Sequence, residues 1–175
     1  MGVFKISDTH QSEFDLAKIV GDRLSQRGWM LVTAESCTGG WAGQAVTAVP
    51  GSSDWYERGY ITYSNNAKCE MLGVQQATLD RHGAVSPQTA QEMATGALTR
   101  SHAQISVSIT GIAGPDGGTA TKPVGTVCFA WATQDGLVQQ ETHYFTGDRE
   151  SIRRQAVATA LQGILRIAGN ATTIT

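Results

Sequence analysis

The chain alternates between segments whose apolar positions recur at helical spacing and short apolar runs bounded by turn residues. Residues 12–27, SEFDLAKIVGDRLSQR, place Leu16, Ala17, Val20 and Leu24 on one face, open with Ser12 ahead of Asp15, and stop before Gly28. That is an amphipathic helix with its start and stop signals. WMLVTA, residues 29–34, is a brief apolar run between punctuation residues and suits a buried strand. Residues 39–48 read as a helix ending before the Pro50-Gly51 turn, and the aromatic, β-branched run WYERGYITYS, 55–64, as a second strand. A short helix follows from Asn65 to Leu72 and closes at Gly73, with another between Thr78 and His82. Ser86-Pro87 is a cap followed by proline at the first helical position, which predicts a helix to about Ser101. QISVSIT, 104–110, reads as a third strand, followed by the glycine-rich loop GIAGPDGGTATKP. VGTVCFAWAT and LVQQETHYF then flank Gln134-Asp135-Gly136 as a hairpin, and a closing helix spans about 149–168.

This order predicts an α/β fold: a three-layer α/β/α domain around a mixed, mostly parallel sheet of about five strands. The first three strands are separated by helices, so right-handed crossovers make them parallel. The 111–123 loop carries too little helical signal for a crossover, so the fourth strand returns antiparallel and the fifth runs with the third. Four segments then meet at one sheet edge: Glu35–Gly40, Ser64–Lys68, Thr110–Gly118 and Gly147–Arg149. Open α/β sheets bind ligands beyond the carboxyl ends of their strands. We expect one domain over residues 1–175, with its core at about 12–168 and flexible tails at both ends.

Composition narrows the classes without choosing among them. The chain has 175 residues, 41% of them hydrophobic, and a formal net charge of -2. That balance offers no general attraction to nucleic acid or to anionic lipid. No apolar run approaches the roughly 20 residues a membrane span requires. The start, MGVFKISDTHQ, lacks the basic-then-apolar layout of a signal peptide, so a cytoplasmic protein is expected. Three cysteines, Cys37, Cys69 and Cys128, without CxxC or Cys/His spacing, argue against a disulfide framework or a zinc site.

The candidate chemistry sits in the converging segments. Ser36, in TAESCTGGWAG, stands between a strand and a helix, where a capping role is the commoner one. It can equally be a nucleophile, with backbone N–H groups near Cys37–Gly40 available to an oxyanion or phosphate. Thr38 can cap the helix instead and leave Ser36 free. G-x-S-x-G is absent, so no hydrolase elbow is present. The four histidines, His10, His82, His102 and His143, lie outside the glycine-rich motifs, which disfavours a Ser-His-Asp triad. Lysine is scarce, with only Lys5, Lys18, Lys68 and Lys122. Lys68 falls in the first turn of a helix at the converging edge, where burial would lower its pKa as a lysine base requires. A solvated surface lysine is the commoner alternative. Tyr63 would either hydrogen-bond in such a site or pack. Cys37 is an alternative nucleophile, although a small buried cysteine is more usual. Glycines 111, 114, 117, 118 and 125 exceed what one turn needs and suit a loop wrapped on a ligand. Asp148 caps the last helix, and Arg149, Arg153 and Arg154 lie on its first turns, where the dipole disfavours cations unless an anion binds nearby.

Taken together, TAESCTGGW (33–41), RGYITYSNNAK (58–68), GAVS (83–86), TGIAGPDGG (110–118), KPVGTV (122–127) and TGDRESIRRQA (146–156) resemble the CinA C-terminal domain family. The resemblance runs from about residue 13 to 165. It implies a stand-alone nicotinamide-nucleotide amidohydrolase, which hydrolyses the carboxamide of nicotinamide mononucleotide (NMN) with a Ser/Lys pair and neither metal nor other cofactor. It places the catalytic roles on Ser36 and Lys68, with Tyr63 in support. Substrate contacts are expected from Cys37, Thr38, Gly39 and Gly40, from Thr110 and Gly111, and from Arg149 as the phosphate ligand. The expected partner is a small nucleotide, with no nucleic acid or membrane, and the expected assembly a homo-oligomer. The family also holds paralogues of doubtful activity, so a nucleotide-binding module without turnover is the rival reading.

Overall fold

The helix signals of the first segment are used as written. α1, Glu13–Arg27, starts where the Ser12 side chain accepts the Asp15 amide, and stops where Gly28 takes a left-handed conformation at φ 62°. The computed structural model describes residues 12–169. The tails, with His10, lie outside the described residues. Five strands follow, β1 (Leu31–Glu35), β2 (Tyr56–Ile61), β3 (Ile105–Gly111), β4 (Thr126–Thr133) and β5 (Val138–Tyr144). The helices between and after them are α2 (Trp41–Thr47), α3 (Asn65–Leu72), α4 (Gln76–His82), α5 (Pro87–Thr99) and α6 (Arg149–Gly169).

The sheet has the order β2-β1-β3-β4-β5. β1 pairs parallel with β2 and β3, and the β3–β4 and β4–β5 pairs are antiparallel, as the segment order predicts. Alternating side chains load the two faces. Leu31, Ile105, Val107, Ile109, Phe129 and Trp131 pack against α1, α2 and α6 on one side. Val32, Ala34, Cys128, Ala130 and Ala132 meet the layer of α3, α4 and α5 on the other. Buried Ser106 and Ser108 on β3 satisfy their hydroxyls on the Ala94 and Ala90 carbonyls of α5, at 2.8 and 2.6 Å. No helix among the described residues is long and apolar enough to cross a membrane.

Three details depart from expectation. β2 ends at Ile61, so Tyr63 lies beyond the strand in the lead-in to α3. A 3-10 turn at Ser52–Asp54 was not predicted. α2 has no side-chain cap on its Gly40 N-cap residue, and Thr38 does not serve as one. Instead Glu35, the last residue of β1, accepts the Ala42 and Gly43 amides at 2.9 and 3.0 Å and the Thr38 hydroxyl at 2.7 Å. A carboxylate from the strand therefore neutralises the orphan donors of the helix start.

Candidate active site

The chain leaves β1 toward β2 on one side, while β3 lies on the other, so a crevice opens between the ends of β1 and β3. The last rungs of the ladder hold its floor. Ser36 donates its amide to the Ile109 carbonyl at 2.9 Å, and Thr62 donates to the Glu35 carbonyl at 2.8 Å. A cavity of about 190 Å³ lies here, lined by Ser36, Cys37, Tyr63, Asn65, Lys68, Ala84, Val85, Thr110, Gly111, Ala113 and Arg149. All four segments expected to converge contribute to it.

Lys68 comes from the first turn of α3, whose start is capped by Ser64 accepting the Ala67 amide at 3.0 Å. Its side chain is 1% exposed, and Nζ lies 3.0 Å from Ser36 Oγ. Nζ also donates to the Thr62 carbonyl at 2.8 Å and the Tyr63 carbonyl at 3.4 Å. No carboxylate pairs with it among the described residues. Burial therefore holds its pKa below the ordinary lysine value of 10.5, opposed by the neighbouring Cys37 and Cys69 sulfurs. A neutral amine has two N–H groups and one lone pair. The two carbonyls account for the N–H groups, and the remaining direction faces the Ser36 hydroxyl.

Ser36 is 8% exposed at the cavity wall. Cys37 lines the same cavity, but burial pushes its thiol up to about 12, so at neutral pH it stays protonated. Lys68 Nζ pairs with Ser36 Oγ and makes no hydrogen bond to Cys37, so the cysteine lacks the base that the serine has. Among the described residues no histidine lines the cavity. Among the described residues no group of three His, Cys, Asp or Glu side chains is placed to hold a metal ion.

The other expected residues are distributed more widely. The contact of Tyr63 with Lys68 runs through its carbonyl, while its phenol, on a side chain 63% exposed, accepts from Arg149 Nη2 at 3.2 Å. Arg149 is further held by donating Nη1 to the Gly114 carbonyl at 2.7 Å. The Thr110 hydroxyl donates to the Ala84 carbonyl at 2.8 Å and thereby fixes one wall. Thr38, Gly39 and Gly40 do not line this cavity; they border a shallow neighbouring hollow with Trp41, Gln44 and Arg153. Two of the three arginines at the start of α6 are committed within the chain. Arg153 donates to the carbonyls of Cys37 and Thr38, and Arg154 pairs with Glu13 and Glu150. Asp148 caps α6 as expected, accepting the Ser151 amide at 2.8 Å. Asn65 and Ala113 lie in segments expected to converge but were not named as lining residues, and Ala84 and Val85 were missed, with the GAVS motif their only signal.

Fold and site define an open α/β domain with a buried serine–lysine pair at a strand switch point. The chain belongs to the CinA C-terminal domain family, whose model matches residues 13–168. It is 53% identical over 154 residues to the nicotinamide-nucleotide amidohydrolase PncC of Escherichia coli K12, a match covering 88% of this chain and 93% of that one. It is 48% identical over 153 residues to the protein of the same name from Pseudomonas putida, covering 87% and 94%. The crystal structure of a competence/damage inducible protein from Agrobacterium tumefaciens superposes with a TM-score of 0.87 at 43% identity, over 95% of this chain and 99% of that one.

Proposed function

We propose that this chain is a cytoplasmic amidohydrolase that converts NMN to nicotinate mononucleotide and ammonia, with Ser36 as nucleophile and Lys68 as general base and acid. The observation that carries the reading is the buried, carboxylate-free Lys68 Nζ at 3.0 Å from Ser36 Oγ. The names of the relatives that cover most of the chain supply the substrate class.

Neutral Lys68 takes the Ser36 proton as Oγ attacks the carboxamide carbon. The oxyanion that develops is held by the amides of the turn after Ser36, that of Cys37 at the cavity wall and that of Thr38 next to it in the chain, neither of which donates to another residue among the described residues. Lys68 passes its proton to the carboxamide nitrogen, the C–N bond breaks, and ammonia leaves a nicotinoyl ester on Ser36. Water then adds to the ester carbon while Lys68 takes its proton. Collapse of that intermediate expels Ser36 Oγ, which recovers the proton from Lys68. The balance is amide plus water to carboxylic acid plus ammonia.

The cavity, at about 190 Å³, is smaller than the roughly 300–1,000 Å³ of pockets that enclose a whole drug-sized ligand. It suits the pyridine ring, with the ribose phosphate running outward past Tyr63 and Arg149. Two donors of Arg149 are occupied, so a guanidinium with five N–H groups retains capacity for phosphate. Three free cysteines, Cys37, Cys69 and Cys128, fit a reducing compartment.

Ammonia release from NMN, nicotinamide riboside and nicotinamide tests the assignment. Ser36→Ala and Lys68→Ala should each lower kcat on NMN by about 10³-fold or more. Near-full turnover in either variant, or NMN binding to the wild type without ammonia release, overturns it.

A further inference from the structure

The turn between β1 and α2 is gripped from outside the Ser36–Lys68 pair. Arg153, one helical turn after Arg149 on α6, donates Nε to the Cys37 carbonyl at 3.1 Å and Nη2 to the Thr38 carbonyl at 2.9 Å. Its guanidinium stacks 5.3 Å from the Trp41 ring, and no carboxylate pairs with it among the described residues. The charge is spent on two peptide oxygens. A trans peptide is planar, with N–H and C=O pointing in opposite directions. Fixing the Cys37 carbonyl toward α6 therefore aims the Thr38 N–H away from α6. The preceding peptide is fixed independently: Gly39 donates to the Ser36 carbonyl at 3.0 Å, which turns the Cys37 N–H to the opposite side. These are the two amides after the nucleophile, and both are oriented yet without a partner in another of the described residues. A cation on a carbonyl oxygen also polarises that peptide and strengthens its N–H as a donor.

We propose that Arg153 is a positioning residue for the oxyanion site: through the Cys37 and Thr38 carbonyls it holds the turn that carries the two amides after Ser36, and through the Cys37 carbonyl it polarises the Thr38 N–H, without touching substrate. This rests on Ser36 being the nucleophile and adds a residue to that machinery. It separates the two arginines of α6 by task. Arg149 faces the cavity mouth, whereas Arg153 acts from behind the turn.

The test compares wild type, Arg153→Ala and Arg153→Lys. Loss of one oxyanion donor costs on the order of 10²–10³ in kcat. Arg153→Ala should lose kcat on that scale with KM within about threefold and the pH of its ascending limb unmoved. Arg153→Lys should fall between, and added methylguanidinium should restore part of the kcat of Arg153→Ala. A rise in KM at unchanged kcat would make Arg153 a substrate ligand and overturn the proposal, as would unchanged kinetics. The second readout needs no turnover: the rate at which a fluorophosphonate labels Ser36, where charge also builds on oxygen. Wild type that labels Ser36 but releases no ammonia from NMN would sink the substrate assignment alone. Equal labelling rates in wild type and Arg153→Ala would sink this one. If Arg153→Ala does not fold, the labelling rate of Arg153→Lys decides, with a slower rate than wild type expected.

Discussion

In the proposed mechanism the chemistry turns on Lys68, and its environment makes a signed prediction. Only the neutral amine accepts the Ser36 proton, so the rate rises as pH rises through the Lys68 pKa and levels above it. Burial holds that pKa below 10.5, which places the ascending limb of kcat/KM at lower pH than an exposed lysine would give. Measured against pH, an ascending limb at or above 10.5 would contradict the buried-base geometry. The segment order put both partners at one sheet edge, but a helix cap and a solvated lysine were the commoner readings of each, and the family resemblance was what favoured their pairing. Arg153 was not legible even to that extent. Read from the sequence it is a cation near a helix start, which suggests an anion, whereas its acceptors are carbonyls 115 and 116 residues away. A sequence displays the donor's charge and hides a backbone acceptor.

The elements show the same division between local and distant causes. α3 was readable to the residue, since Ser64 caps it and Gly73 ends it in a left-handed conformation at φ 71°. α2 was not, because its capping carboxylate belongs to the preceding strand. α3 also depends on a neighbour that its own residues do not reveal. Gly96 of α5 lies so close to the end of α3 that an added Cβ would stand 1.9 Å from the Leu72 carbonyl oxygen. Backbone cannot yield as a side-chain tip can, so Gly96→Ala should displace α3 and Lys68 with it. We expect a loss of about 1–3 kcal/mol in urea denaturation together with a drop in kcat of the folded enzyme. Gly163→Ala is the control: its Cβ would meet the Trp131 ring at 2.1 Å, a contact between α6 and β4 outside the cavity. It should cost comparable stability and leave kcat of the folded fraction intact. Equal kcat losses in the two variants would refute the link between Gly96 and Lys68.

At the level of the whole molecule, strand order and direction followed from counting crossovers, and with them the edge where the candidate site lies. The curvature of the loops did not follow, so the wall contributed by Ala84 and Val85 went unseen. The topology has one further consequence. Ser36 leads into α2, which belongs to one helical layer, while Lys68 hangs from α3 in the other, and the pair meets over the rim of the sheet. The proposed nucleophile and base are thus anchored to opposite slabs, like two halves of a latch. Sliding of one slab by an ångström or two opens the latch while every helix and strand remains formed. In a urea titration, ammonia release should therefore decline at lower concentration than far-UV circular dichroism, and superimposed curves would show the layers to be rigidly coupled. Turnover then serves as a gauge of interlayer registry, more sensitive than any signal from the helices themselves.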